Sequence, residues 1–168
     1  MLKELGEIKP SDINIEKLKN WKADRNLCDL IMSKPVTLSK DETREWLRRN
    51  QADENQEIKG LFLNGELVGV ARLMFINSED SLAEIGLYIG GENTRGLGLG
   101  TLALSQLEEI ARDKWRLNKL YARILDSNIS SVMLFKGQGY SREGLLRSHY
   151  RSIITSKWND IIYLAKFI

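Results

Sequence analysis

The stretch Arg95-Gly96-Leu97-Gly98-Leu99-Gly100-Thr101 sets glycines at alternate positions between an apolar, strand-like run and a long amphipathic segment. A glycine-rich turn feeding a helix N-terminus exposes backbone N–H groups with no side chains in the way. The helix end adds partial positive charge, so such a turn cradles phosphate oxygens. Two nucleotide-binding patterns compete for these residues. Gly98-Leu99-Gly100-Thr101-Leu102-Ala103 satisfies G-x-G-x-x-A, with Asp126 at a tolerable distance to hold a ribose. That fingerprint belongs in the first tight turn of a repeated βαβ array. Here a longer connection separates Ile89 from Gly98, and the preceding strands read as an antiparallel meander. A Walker loop fails because no Gly-Lys-Ser/Thr follows. Cys28 is the single cysteine and His149 the single histidine. An internal disulfide, a multi-cysteine zinc site and a histidine-based metal site are thereby excluded, and no Ser/His/Asp or Cys/His set is evident for nucleophilic catalysis.

The elements that must position this loop follow from periodicity and punctuation. Ile13 to Arg25 predicts a short helix with Ile15, Leu18 and Trp21 on one face, capped by Ser11 or Asp12. Asn26 to Pro35 reads as a loop. Ser39-Lys40-Asp41-Glu42 is a capping box opening a helix through Asn50. Glu57–Leu63 and Leu67–Phe75 predict strands joined by Asn64-Gly65, a hairpin signal, and Ala83–Ile89 a third. Gly98–Trp115 is a long helix, Lys119–Leu125 a strand, Ser127–Gly137 a short helix, and Tyr140–Arg147 and Asn159–Phe167 the closing strands. Trp21, Trp46, Trp115 and Trp158 read as core. The sum is a mixed α/β sheet with helices on its faces.

The 168 residues are enough for one domain with its own core. Hydrophobic residues at 42% and charged residues at 29% are ordinary for a globular protein. A formal charge of +2 argues against a dedicated nucleic-acid binder. No secretory leader is visible and no apolar run approaches ~18 residues, so a cytoplasmic protein with no membrane partner is expected.

Arg95-x-x-Gly98-x-Gly100 resembles the R/Q-x-x-G-x-G/A pyrophosphate loop of the GNAT-superfamily N-acetyltransferases. Downstream, Asn128-Ile129-Ser130-Ser131-Val132-Met133-Leu134-Phe135-Lys136-Gly137-Gln138-Gly139-Tyr140-Ser141-Arg142-Glu143-Gly144-Leu145-Leu146-Arg147 is similar to the second signature of that family, N-x-x-S-x-x-L-Y-x-K-x-G-F-x-x-E-G-x-x-R. It departs at Phe135 for Tyr, at Gly137 for Lys (with Lys136 one place early) and at Tyr140 for Phe. The resemblance covers essentially the whole chain as one domain, residues 1–168. It points to the subgroup that contains ribosomal-protein N-terminal, spermidine and nucleotide-amino-sugar acetyltransferases.

The resemblance implies a fold of about seven mostly antiparallel strands flanked by helices, acetyl-CoA as cofactor, and direct attack by an amine in a ternary complex. Gly96, Gly98, Leu99, Gly100 and Thr101, with Arg95, would hold the pyrophosphate. The strand Ala83–Ile89 would splay from Lys119–Leu125, so that Leu87 and Ile89 hold the pantetheine arm through backbone groups, with Gly90-Gly91 as the irregular exit. Asn128, Phe135 and Lys136 complete the implied cofactor contacts, although Asn128 also reads as a plain helix cap. Glu84, which interrupts an apolar strand, is the implied base. Ser131 is the candidate acid, because Phe135 has no proton to donate; solvent is the alternative. Trp21, Arg147, His149 and Tyr150 are the candidate acceptor contacts. The leading acceptor is an amino sugar on a nucleotide carrier, with a ribosomal-protein N-terminus or a polyamine as alternatives. A non-catalytic acyl-CoA-binding module is the reading of another class. Family members often dimerise, which makes a homodimer the implied assembly.

Overall fold

A computed structural model describes residues 1–90, 94 and 96–168. Twelve elements run β1 (Lys3–Gly6), α1 (Asp12–Ala23), α2 (Arg25–Leu30), α3 (Lys40–Ala52), β2 (Glu57–Leu63), β3 (Glu66–Asn77), β4 (Leu82–Ile89), α4 (Leu99–Asp113), β5 (Lys119–Leu125), α5 (Ile129–Gly137), β6 (Ser141–Arg151) and β7 (Trp158–Phe167). The strands form one seven-stranded sheet in the order β1-β2-β3-β4-β5-β7-β6. Among them only β4 and β5 pair in parallel, as the long α4 crossover between them requires.

Local chemistry sets most boundaries. Ser11 caps α1 through the Asn14 N–H, and the Ser39–Glu42 capping box forms in both directions. Asn64 and Gly65 both take positive φ, 51° and 81°, as a two-residue turn matched to strand twist demands. Two elements depart from the sequence expectation. The segment read as a loop contains α2, a helix too short for an apolar period to register. Its N-cap is Asp24, whose carboxylate accepts from the Asn26 and Leu27 N–H groups. Strand β1 was not predicted either; it is a four-residue edge strand held to α4 by the Leu5 N–H donating to Gln106 Oε1.

Two apolar layers sandwich the sheet. One packs α4 and α5 on Leu73, Ala83, Ile85, Leu120 and Leu164; the other packs α1 and α3 on Ile58, Leu67 and Val70. Trp21 and Trp46 lie against the second layer and Trp115 against the first. Trp158 does not: it is 61% exposed, because it begins β7 opposite Arg151 at the open end of the terminal hairpin. Among the described residues no helix is long and apolar enough to cross a membrane.

The geometry that matters most lies between β4 and β5. Their pairing covers Leu82↔Lys119, Ala83↔Leu120 and Glu84↔Tyr121, and then stops. Beyond that point each strand stays with its other neighbour. β4 remains in continuous register with β3 from Met74↔Glu84 to Gly69↔Ile89, and the Gly90 N–H donates to the Val68 carbonyl at 2.9 Å. β5 remains with β7 through Leu125↔Ile161, and the Asp126 N–H donates to the Asp160 carbonyl. A wedge-shaped gap opens between them.

Helix α2 roofs one side of this gap and is fastened to the β6–β7 connection by Asp29 and by Arg25, whose Nη2 donates to the Ile153 carbonyl at 2.9 Å. Asp29 accepts from Tyr150 Oη (3.0 Å), Ser152 Oγ (2.7 Å) and the Ile153 N–H (2.8 Å). Burial and the Asp29 charge push the Tyr150 hydroxyl up to about 12. Replacing Asp29 with Ala strands these donors, and at roughly 1 kcal/mol per lost bond, more where charge assists, it should cost about 2–4 kcal/mol. Urea unfolding checks this; a variant as stable as the parent would contradict the fastening.

Candidate functional site

Backbone alternation assigns the polar groups that line the gap. The Gly90–Val68 bond and the unbroken register mean that Tyr88, Gly86 and Glu84 spend their main-chain groups on β3. Leu87 and Ile89, between them, turn N–H and C=O the other way, toward a β5 edge that is no longer adjacent. Their side chains pack into the α4 layer. Mid-strand backbone without a strand partner is a template for an extended ligand.

At the top of the gap the chain turns into α4. Gly98 is its N-cap with φ 74°, a left-handed conformation, and among the described residues no side-chain cap bond is made. A Cβ there would carry roughly 1–2 kcal/mol of strain, and the first-turn N–H groups are left for a ligand. Gly100 answers a different need: a Cβ on it would sit 2.7 Å from Leu134 Cδ2, so the Leu134 side chain of α5 would have to shift for any larger residue. The implied arginine of this loop, Arg95, lies outside the described residues, as does Gly91. A cation that the sequence reading overlooked stands nearby, since Lys3 Nζ of β1 lies 3.7 Å from where a Gly98 Cβ would be.

These groups border a cleft of about 790 Å³, lined by Leu87 and Ile89 of β4, by Gly96, Gly98, Leu99, Gly100 and Thr101 of the turn, and by Asn128 and Ser131 of α5. A second cleft of about 410 Å³ adjoins it and contains Arg72, Glu84, Arg123, Phe135, His149 and Tyr150. The two share Leu30, Ile31, Leu87, Tyr88, Asn128 and Ser131, so they meet where β4 leaves β5.

Of the implied catalytic pair, Ser131 lines both clefts and Glu84 lines the second. Glu84 is 7% exposed, and its Oε2 accepts from Arg123 Nε at 3.0 Å and lies 2.9 Å from Arg123 Nη2. Arg123 was missed in sequence reading; its signal is a charge inside the apolar run Leu120–Leu125, as Glu84 is inside its own. Burial first, then the Glu84 charge, push the nearby Tyr121 hydroxyl up to about 12, which leaves it protonated at neutral pH. Ser131 stands in the first turn of α5, and its N–H donates to Asn128 Oδ1 at 3.2 Å. Asn128 is therefore a helix cap, and it also lines both clefts.

Other implied contacts are placed differently. Lys136 and Arg147 are exposed and border neither cleft, because the α5 turn and the β6 register carry them outward. Phe135 borders the second cleft rather than the first, with its ring edge-on to Tyr140 at 5.0 Å. Tyr140 borders neither; it is buried, and burial pushes its hydroxyl up. Trp21 packs edge-on against Tyr88, 5.8 Å between centroids, and reaches only a smaller side pocket next to the second cleft. Among the described residues no cluster of His, Cys, Asp and Glu could hold a metal.

A family profile for the acetyltransferase (GNAT) domain matches residues 5–141. The uncharacterized N-acetyltransferase p20 of Bacillus licheniformis is 30% identical over 87 residues, which are 52% of this chain and 48% of that protein. The match thus spans about half the length of that relative. Among solved structures, the spermidine N-acetyltransferase of Vibrio cholerae in complex with CoA and spermine superposes with a TM-score of 0.85 at 19% identity, covering 98% of this chain and 95% of that one. A ribosomal L7/L12 α-N-protein acetyltransferase in complex with coenzyme A gives 0.85 at 18% identity, over 99% and 94%. An N-acetyltransferase of Staphylococcus aureus Mu50 gives 0.80 at 21%, over 99% of each chain. At these identities the structures establish the shared fold.

Acetyl-CoA is the cofactor of the family that the profile describes, and the residues present fit it. The uncapped turn suits a diphosphate, and the unpaired Leu87 and Ile89 backbone suits an arm of amides. Gly98→Val should weaken coenzyme A binding at least tenfold in calorimetry, because it forces a β-branched residue into a left-handed turn. Unchanged affinity would remove the turn from the binding site.

Proposed function

The chain belongs to the GNAT acetyltransferase family, and we propose that residues 1–168 act as one N-acetyltransferase domain moving an acetyl group to a primary amine bound in the Glu84–Arg123 cleft. The observation that carries this reading is the junction of the two clefts at Leu87 and Ser131, where unpaired backbone opens onto the cleft that also contains the buried Glu84 carboxylate. When bound, acetyl-CoA supplies the thioester carbonyl that the amine attacks.

Each residue at the junction has a defined task. The Leu87 N–H, free of strand pairing, is the donor available to oxygen that gains negative charge during transfer. An alkylamine with a pKa near ~10.4 is mostly protonated at neutral pH, so a proton must leave it before or during attack. Glu84 accepts that proton, directly or through water, and Arg123 fixes the orientation of the carboxylate through its two contacts with Oε2. Ser131, in both clefts, is the side chain placed to return a proton to the leaving sulfur. Phe135 and Tyr140 take no part, because the first lacks a proton and the second is buried away from both clefts.

The acceptor we propose is an amino sugar on a nucleotide carrier. What supports it over a polycation is the charge of the acceptor side. Glu84 is the one carboxylate among the described lining of the second cleft, and Arg123 already neutralises it. Asp29, on the roof, is consumed by Tyr150, Ser152 and Ile153. A polyamine would give up its hydration without ionic compensation.

Thiol release from acetyl-CoA across a panel of amines, nucleotide-linked amino sugars first, tests the reading. Glu84→Gln should lower turnover about 10²–10⁴-fold if the carboxylate takes the proton, with coenzyme A affinity unchanged. Full activity of that variant across neutral pH would remove Glu84 from the base role. Binding of coenzyme A with no turnover on any amine would favour a non-catalytic acyl-CoA module instead.

A further inference from the structure

Next to the acceptor cleft lies a side pocket of about 110 Å³ whose described lining contains three cations, Lys22, Lys34 and Arg72, and no carboxylate. It shares Ile31, Ser33, Val70, Arg72 and Tyr88 with the acceptor cleft, so one molecule can occupy both. Trp21, Trp46 and Tyr88 form its apolar walls.

Arg72 is the centre of this arrangement. It interrupts the apolar strand β3, where Val70, Ala71 and Leu73 are buried around it. Its Nη2 donates to two neutral oxygens, Asn50 Oδ1 at 2.8 Å and Gln56 Oε1. Its Nε is buried with no hydrogen-bond partner. None of the three cations makes an ion pair among the described residues. Asp53, which acts on Arg72 from a distance, already accepts from Gln56 Nε2 at 2.8 Å. Lys22 stacks on the Trp46 ring at 4.1 Å, and burial followed by the Arg72 charge pulls its ammonium below the usual lysine range. Like charges held together in a half-buried site with an unpartnered guanidinium N–H are costly unless an anion joins them.

We propose that Lys22, Lys34 and Arg72 form an anion subsite that grips a phosphate or carboxylate carried by the acceptor, on the side of the acceptor cleft remote from the acetyl group. Arg72, at the boundary of the two pockets, makes the contact that orients the acceptor, and the lysines add charge around it. Size fits the assignment, since the side pocket admits one such group while the amine-bearing remainder lies in the larger cleft. The assignment rests on the acceptor reading above and extends it from an amine to an amine that carries a negative charge.

Calorimetry on protein saturated with coenzyme A, so that the glycine turn is filled, tests the subsite directly. The probes are uridine 5′-diphosphate, D-glucuronate and neutral uridine. At least one of the two anions should bind at least tenfold more tightly than uridine and lose affinity as salt rises. The tighter of the two identifies phosphate or carboxylate as the source. Arg72→Met should weaken that binding at least tenfold, and the exposed Lys34→Met at least threefold, with coenzyme A affinity unchanged in both. Should Arg72→Met fail to fold, Lys34→Met and the salt dependence carry the test. Absence of anion binding, or binding that folded variants leave unaltered, would overturn the subsite. Turnover on neutral amines without anion binding would sink the subsite alone. Anion binding without turnover on any amine would sink the transferase reading and leave the subsite standing.

Discussion

The arrangement depends on the sheet's failure to close between β4 and β5. Three residue pairs join the strands, and past Glu84↔Tyr121 each follows its outer neighbour. Main-chain N–H and C=O groups are rarely left without partners inside a protein, so a gap in mid-sheet calls for an occupant. Leu87 and Ile89 present those groups by alternation alone, while their side chains stay in the core. The device therefore takes nothing from packing. What holds the gap open is the strength of the pairings on either side, together with α5, whose Leu134 seats on Gly100 across the mouth.

From that gap the site divides by charge. Around the first cleft the available groups are backbone amides and a helix N-terminus, with Lys3 as an added cation. In the second cleft the buried carboxylate is matched by Arg123, and positive charge remains in excess around Arg72. A cleft with excess positive charge and a polycation are a poor electrostatic match, which is the physical basis of the acceptor proposed above.

The elements were legible where a strong local signal existed. The Ser39–Glu42 capping box, the Asn64-Gly65 turn and the strand Lys119–Leu125 are all present at the expected places. Short elements were not: α2 has six residues and β1 has four, too few for periodicity to rise above noise, and both are stabilised by side chains distant in sequence. In the site, the glycine turn was readable because a left-handed N-cap needs glycine. Arg123 and Arg72 were not singled out, because their meaning depends on which strand or loop lies opposite. Lys136 and Arg147 show the reverse: a motif places them in sequence, but the α5 turn and the β6 register direct them away from the clefts. Trp158, read as core from its residue type, is exposed because the last hairpin extends beyond the packed layers.

Amide hydrogen exchange, followed residue by residue with and without coenzyme A, tests the open sheet most directly. The N–H groups of Tyr88 and Gly90, bonded to β3, should be protected in both states. Those of Leu87 and Ile89 should exchange faster in the free protein and slow sharply when coenzyme A is added. Equal protection of all four amides in the free protein, or no response of Leu87 and Ile89 to coenzyme A, would contradict the account.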